Sequence, residues 1–287
     1  MSTLLDTNSE ILLDTDGEVL EAAGTLVLGA MVLGTPEQIE PNQPRLGWRN
    51  FAGATDFSAT SETEFSPASN LGNPSTAFGW EATSTDEQQI DIAIDRPVDY
   101  IGLARHNLRG GAEMRIEFGF GGEFNVIINW FVVPSRQALM FLFAEAEPDT
   151  IRIRIRNNIE APRIAVIYVG RVTLLQRRIY VGHTPVTMGR TVETVGGYSE
   201  SGQYLGEVQR REGRQTQVSM ENLTPDWYRS TLDPFIAQRP RRPAFFSWRP
   251  GSYPTEVGYV WLTGNPQPSN QRANGMMQID MSFEAIT

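Results

Sequence analysis

The sequence predicts an all-β protein, with a sandwich in its middle part and a second β-rich domain after it. Apolar and polar residues alternate with a period of two along most of the chain, most strictly over residues 151–156. After Arg171, glycine and proline become denser and only one segment has a helical signal. With 287 residues, 40% of them hydrophobic, the chain is long enough to fill a core in each of two domains.

Charge and cysteine content argue against several kinds of function. The chain has no cysteine, so no disulfide, thiolate metal site or cysteine nucleophile is available. Its net charge is −10 without a basic cluster, which argues against a nucleic-acid partner. Residues 1–44 hold eight acids and no base, which is typical either of a solvated edge or of a contact with a basic partner subunit.

The sequence predicts neither a membrane span nor a signal peptide. Residues 24–34 are apolar but far shorter than the roughly 18 residues that a span requires, and they are predicted to form a buried strand or hairpin. Residues 1–6 lack the basic region of a signal peptide. We therefore expect a protein that is made in the cytoplasm and used without Sec export.

The middle part of the chain contains a loop followed by short strands. The loop begins at Ser69-Asn70-Leu71-Gly72-Asn73-Pro74 and continues to Gly79-Trp80. Strands are predicted at residues 90–95, 100–107, 114–118, 126–131, 151–156 and 163–170. Residues 119–122 predict a glycine turn with positive φ. The arginine face of residues 151–156 is typical of a solvated sheet face or, alternatively, of a contact with a subunit or glycan.

This order of features resembles the discoidin or coagulation-factor type C family, a galactose-binding-like β-sandwich. The resemblance depends on the Asn-Leu and Trp loop, the alternating strands and Arg105-His106-Asn107 at a strand end. It covers residues 65–170 and implies a jelly-roll sandwich over residues 45–173 that binds surfaces or glycans. The family's loop frequently binds calcium, but Asn73 stands where an Asp is usual, so Asn73 is only a weak metal candidate.

Four residues are candidates for ligand binding. Arg105, His106 and Asn107 fall where a strand runs into a loop, and Arg105 offers a fork of donors for a pair of sugar hydroxyls. His106 and Asn107 are also typical of structural hydrogen-bonding groups. Trp80 is a candidate stacking platform, although a Trp in this loop of the family more often packs under the sandwich. No cofactor is expected apart from the weak calcium candidate.

The C-terminal part predicts one short helix among strands. Thr224 followed by Pro225 is typical of a helix start, and the pattern continues toward Ile236. Residues 243–259 resemble distal or minor tail proteins of long-tailed phages in pattern and texture. That resemblance implies a tail-tube-like β-barrel domain over residues 174–287, with residues 1–44 as an arm or hairpin of the same ring domain. Residues 24–34 and 257–262 are candidate subunit contacts or ordinary core strands.

Three functions follow from these observations. The main hypothesis is a structural virion protein in the phage tail, which forms a sixfold or threefold ring, contacts tail tube and baseplate proteins, and carries a sandwich for a host surface glycan. The alternative is a monomeric glycan-binding module or the accessory domain of a glycan-degrading enzyme. An enzyme is disfavoured, because only His106 and His183 exist, Gly-x-Ser-x-Gly is absent and no carboxylate pair is singled out.

Overall fold

The computed structural model describes residues 30–32, 42–179, 182–238, 240–271 and 275–286, and these are all-β with one short helical segment. The strands are β1 (Ala30–Val32), β2 (Arg45–Gly47), β3 (Phe57–Ala59), β4 (Trp80–Glu81), β5 (Gln88–Ala93), β6 (Val98–His106), β7 (Glu113–Phe120), β8 (Glu123–Val132), β9 (Leu139–Ala146), β10 (Thr150–Arg156), β11 (Arg163–Gly170), β12 (Thr173–Leu174), β13 (Arg190–Tyr198), β14 (Tyr204–Leu223), β15 (Ala244–Ser247), β16 (Val257–Thr263), β17 (Ser269–Asn270) and β18 (Met277–Ile286). Residues 1–29 and 33–41, most of the expected acidic arm, lie outside the described ranges.

Ten strands form two five-stranded sheets that share one apolar core. The sheet that we call the inner sheet has the order β1-β9-β6-β11-β4, and the outer sheet has the order β3-β5-β10-β7-β8. Neighbours are antiparallel except for β1 and β9, which are parallel. Because buried residues of both sheets belong to a single cluster, the sheets pack face to face. The predicted sandwich is confirmed.

The period-two pattern of β10 determines which of its side chains enter that core. Ile151, Ile153 and Ile155 are fully buried, whereas the arginines between them are half-buried on the opposite face. The turn between β7 and β8 consists of Gly121 and Gly122, whose φ angles are 58° and 92°. Both angles are positive, as a two-residue hairpin turn of this kind requires.

The C-terminal strands form an open sheet, so the expected barrel is not seen in the described residues. Its order is β12-β2-β15-β16-β18-β14-β13, with β17 beside β18. One edge is the two-residue β12, and the other is β13, which pairs with β14 alone. In the described residues no pairing joins the two edges, since β12 pairs with β2 alone and β13 with β14 alone.

The inner sheet is covered on its second face by this C-terminal sheet. Tyr168 of β11 packs edge-on against Phe245 of β15 and Tyr259 of β16, with ring centroids 5.5 and 5.8 Å apart. All three rings are buried, and each contributes roughly 2 kcal/mol of apolar burial. The inner sheet is thus buried on both faces, and the sandwich and the C-terminal sheet pack through a closed apolar layer.

A helical segment covers the opposite face of the C-terminal sheet. It runs as α1 (Pro225–Trp227), a π-helical turn (Tyr228–Leu232) and α2 (Asp233–Ile236), which agrees with the predicted short helix. Phe235 packs on Phe283 of β18 at 6.4 Å and on Trp48 at 6.0 Å. The helix therefore completes a second apolar core.

Two segments pair outside the domain in which they were expected, and a third takes one of its two expected roles. Residues 45–47, expected in the sandwich, form β2 of the C-terminal sheet and pair with β15. Residues 30–32, expected in the ring domain, pair with β9 of the sandwich. Residues 257–262 form β16, which is almost wholly buried between β15 and β18 and is therefore a core strand. Chain order alone does not reveal such pairings between distant segments.

The whole of β13 and the first half of β14 form a two-stranded ribbon. Its strands pair from Arg190 with Arg214 to Tyr198 with Tyr204, and most of its side chains are exposed. Large exposed apolar residues occur along it: Val192, Val195, Tyr198, Tyr204, Leu205 and Val208. An isolated two-stranded ribbon is only marginally stable in water. Because β13 pairs with β14 alone and most ribbon side chains are exposed, few contacts with the rest of the described fold stabilise it.

Within the described residues, no helix is long and apolar enough to cross a membrane.

Candidate functional site

His106 ends β6 as a neutral, buried side chain. It is 5% exposed, and its Nε2–H donates to the carbonyl of Gln137 at 2.9 Å. Because a carbonyl only accepts, this bond assigns the proton to Nε2. Burial lowers the pKa of His106 to about 4, opposed by the Gln137 hydrogen bond, and the charge of Arg136 lowers it further. His106 therefore supports the strand end without adding positive charge at neutral pH.

Asn107 lies just after β6 and binds the segment that leads into β11. Its Nδ2 donates to the carbonyl of Ala161 at 2.8 Å, and its Oδ1 accepts the backbone N–H of Arg163 at 2.8 Å. The backbone N–H of Asn107 also donates to the carbonyl of Arg163 at 3.1 Å. One amide side chain thus ties the end of β6 to the start of β11, which is a structural role.

Arg105 is exposed and has a strained backbone. Its φ is 56°, in the left-handed region that costs a non-glycine residue roughly 1–2 kcal/mol. Arg105 is the last residue but one of β6 and lies between the buried residues Ala104 and His106. Strain of this kind is retained at ligand sites when the surrounding structure enforces it. Among the predicted ligand-binding residues, Arg105 is the one whose charged group is available.

A polar cleft of about 400 Å³ forms around this strand end. It is lined by Arg105, His106 and Asn107 of the β6 end, Arg163 and Ala165 of β11, Thr76 of the loop before β4, and Arg136 of the loop before β9. The sequence prediction named the β6 residues only. The pairing of β11 with β6, and of β4 with β11, brings Arg163, Ala165 and the loop before β4 beside them.

The three arginines of the cleft differ in their partners. Arg136 lies 3.3 Å from Glu160, which also binds Arg109 at 3.2 Å. Arg105 and Arg163 are exposed and have no ion-pair partner among the residues that the structure describes. No carboxylate belongs to the cleft lining. The cleft is therefore positive, although the whole chain has a net charge of −10.

The loop that carries Thr76 is held from both sides. Gly79 lies so close to β11 that a Cβ there would meet the carbonyl of Ile164 at 2.7 Å, and Asn70 donates to the Gly79 carbonyl at 3.1 Å. From the C-terminal sheet, the Tyr259 hydroxyl donates to the carbonyl of Pro74 at 2.7 Å. The cleft is thus built on rigid strands and one braced loop.

Trp80 and Asn73 have structural roles. Trp80 is fully buried and its Nε1 donates to the carbonyl of Ser61 at 2.8 Å, so it packs under the sandwich and is not available for stacking on a sugar. The Oδ1 of Asn73 accepts the backbone N–H of Ser75 at 2.9 Å. In the described ranges, no group of three or more His, Cys, Asp or Glu side chains has a geometry suited to a metal ion.

A second group of arginines lies on the outer sheet. Arg152 pairs with Asp91 through two bonds of 2.8 and 3.0 Å and stacks on Phe124 at 3.6 Å. Arg156 pairs with Glu113 at 2.6 Å and stacks on Trp130 at 4.0 Å. Arg154 pairs with Glu87. Since every arginine of β10 already has a carboxylate, this face has the character of a solvated sheet face.

The sequence pattern does not indicate that Arg136, Arg163 and Thr76 belong to the cleft. Arg163 starts a predicted strand, but the pattern does not indicate that its N–H binds Asn107, 56 residues earlier. The available signal was the charge pattern: Arg163 follows a proline and precedes an apolar strand with no acid beside it.

No protein-family model and no curated protein sequence matches the chain. Among solved structures, it is similar to the family 32 carbohydrate-binding module of Clostridium perfringens NanJ in complex with galactose (16% identity, 42% of this chain, 97% of that chain, TM-score 0.36). Chitosan-binding module 1 of a Paenibacillus sp. IK-5 chitosanase/glucanase matches similarly (14% identity, 42% and 98%, TM-score 0.37). A Ruminococcus gnavus GH29 fucosidase matches 44% of this chain and 27% of its own, with 15% identity and a TM-score of 0.37. At these identities and TM-scores, the ligand has to be inferred from the cleft itself.

Proposed function

We propose that the sandwich of this protein binds a glycan, without catalysing a reaction, in the cleft at the ends of β6 and β11. The observation that carries this proposal is a preformed cleft of about 400 Å³ with a mainly polar lining. Sugars carry hydroxyls that both donate and accept, and the guanidinium of Arg105 and the hydroxyl of Thr76 match them. Phe78, two residues after Thr76, is 55% exposed and offers a ring in the same loop.

Binding to glycans with Arg105→Gln and Arg96→Gln as a matched pair tests the proposal. Both arginines are exposed, but Arg96 precedes the start of β6 and Arg105 lies near its end, roughly 30 Å apart along the strand. We expect the full chain to bind one class of oligosaccharide on a glycan array and in calorimetry. Arg105→Gln should weaken this binding and Arg96→Gln should not. Absence of binding across neutral and charged oligosaccharides would overturn the proposal.

A second candidate function is homo-oligomeric assembly as a structural component of a phage tail, located in the virion tail and in contact with tail tube and baseplate proteins. The ribbon of β13 and β14 supports it, because an edge strand with exposed Val192, Val195 and Tyr198 is suited to pairing with a neighbour. A sixfold or threefold ring is the expected state. Light scattering of the full chain tests this: a ring that Val195→Glu disperses supports assembly, and a monomer at all concentrations contradicts it.

A further inference from the structure

We propose that the glycan bound in this cleft is anionic, with a carboxylate or sulfate group held by Arg105 and Arg163. The inference rests on the proposed function and names the class of ligand for the same site. Arg136 lies at the same cleft and adds positive charge to it.

The charge of the lining carries the proposal. Arg105, Arg136 and Arg163 line one cleft, and like charges that share a cleft repel each other unless an anion lies between them. Of the nearby acids, Glu160 is already bound by Arg136 and Arg109. Glu81 is opposite Arg163 in the pairing of β4 with β11, but no ion pair joins their side chains in the described structure. An oxyanion of a bound ligand would supply the negative charge that Arg105 and Arg163 lack as a partner.

The cleft arginines contrast with the half-buried arginines of the outer sheet. Arg152 and Arg156 each have a carboxylate at 2.6–2.8 Å, so their donors are occupied within the chain. The donors of Arg105 and Arg163 are not occupied in this way by the described residues. A guanidinium presents two parallel N–H groups to a carboxylate or sulfate, and such charge-assisted bonds are about twice as strong as neutral ones.

The backbone of Arg105 points to the same conclusion. A φ of 56° suits glycine or asparagine better than arginine, yet the chain has arginine there. The hydrogen bonds of Asn107 to Ala161 and to the N–H of Arg163 set the relative position of the two strand ends. The backbones that carry the two guanidinium groups are therefore held in place, so binding of an anion has only the two side chains to order.

Because His106 is neutral, arginine alone supplies the positive charge of the cleft at neutral pH. The imidazole of His106 carries its proton on Nε2 and is uncharged at neutral pH. Arginine does not titrate in the accessible range. Affinity for an anionic sugar should therefore be constant across neutral and mildly acidic pH, until the ligand's own acid group is protonated.

The experiment compares matched oligosaccharides by calorimetry with the full chain. The probes are trigalacturonic acid, its methyl ester, a neutral galactotriose and a sulfated galactotriose. We expect the acid or the sulfate to bind about tenfold to 100-fold more tightly than the neutral pair, a difference that charge-assisted hydrogen bonds supply. The acid and sulfate probes identify which oxyanion the cleft prefers.

Two single variants and one control locate the charge. Arg105→Gln and Arg163→Gln should each remove most of the preference for the charged probe, because they weaken binding of the charged probe far more than binding of the neutral probes. Arg96→Gln should leave the preference unchanged. Equal affinity for charged and neutral probes would overturn the anionic inference and leave the proposed function standing. A preference that survives in the Arg105→Gln/Arg163→Gln double variant would overturn it as well. If no probe binds, the proposed function fails together with the inference.

Discussion

The arginines of β10 and the arginines of the cleft have the same chemistry in opposite circumstances. Arg152, Arg154 and Arg156 lie half-buried on the outer sheet, each beside a carboxylate. Arg105 lies near the end of β6 and Arg163 at the start of β11, where the described residues provide no carboxylate partner. The arginines that alternate along β10 are paired with carboxylates of neighbouring strands. The arginines where the end of β6 meets the start of β11 have no such partner in the described structure and can bind a ligand.

The largest expected effect comes from the residue that holds the cleft arginines together. Asn107→Ala leaves the part-buried Ala161 carbonyl without its partner, which costs about 1–3 kcal/mol, and removes the more exposed hydrogen bond to the Arg163 N–H, which contributes about 1 kcal/mol. We expect the free energy of unfolding to fall by about 3 kcal/mol and glycan binding to be lost. Urea denaturation measures the first effect, with the exposed Asn125→Ala as control. Equal stability of the two variants would contradict the structural role of Asn107.

The next effect concerns pH. His106 has a pKa of about 4 in the folded chain against an ordinary 6.5, so protons favour the unfolded chain and stability falls as pH decreases from 6.5 toward 4. Between pH 7 and pH 5 this loss amounts to about 2 kcal/mol. His106→Gln retains an amide donor for Gln137 and should remove that part of the slope. The pKa of Asp99, raised by burial to about 6, acts in the opposite direction and is common to both proteins. Identical slopes would refute the assignment of a neutral His106.

A smaller effect separates the two groups of arginines directly. Arg152→Gln breaks a two-bond pair with Asp91 in which both side chains are about one quarter exposed, and we expect a loss of about 1 kcal/mol of stability with glycan affinity unchanged. Arg105→Gln should show the reverse, with lost affinity and unchanged stability. Thermal denaturation and calorimetry of both variants test this. A loss of affinity in Arg152→Gln would place the ligand on the outer sheet.

The smallest expected effect is on backbone strain. Arg105→Asn places a residue that tolerates positive φ where the chain now has arginine. We expect stability to be unchanged or to rise by about 0.5 kcal/mol, while the preference for anionic sugars is lost. A fall in the unfolding midpoint would mean that Arg105 is retained for stability.

Much of the fold was predictable because its signals are local. The alternation of residues 151–156, the turn at Gly121 and Gly122 and the helix start at Pro225 each depend on neighbouring residues, and the structure agrees with all three. The open C-terminal sheet was not predictable. Its shape depends on the pairing of β2 with β15, which joins residues about 200 positions apart, and sequence periodicity contains no information about such pairs.

The candidate site was predictable in part for the same reason. Arg105, His106 and Asn107 are consecutive, so their place at a strand end could be inferred from the pattern that precedes them. The roles of the candidate residues could not be inferred, because they depend on the folded surroundings. His106 and Trp80 are buried, and Asn107 binds two backbone groups. Arg136 and Arg163 reach the cleft from other loops and strands, and only the folded topology brings them there.

The most direct test of the cleft is the nuclear magnetic resonance signal of the arginine Nε–H groups during titration with trigalacturonic acid, with assignments from single Arg→Gln variants. The Nε–H signals of Arg105 and Arg163 should shift together and saturate with one affinity. Those of Arg152 and Arg156, already bound to Asp91 and Glu113, should stay in place. Shifts confined to the outer-sheet arginines, or saturable binding of the acid without any shift at Arg105 and Arg163, would contradict the account.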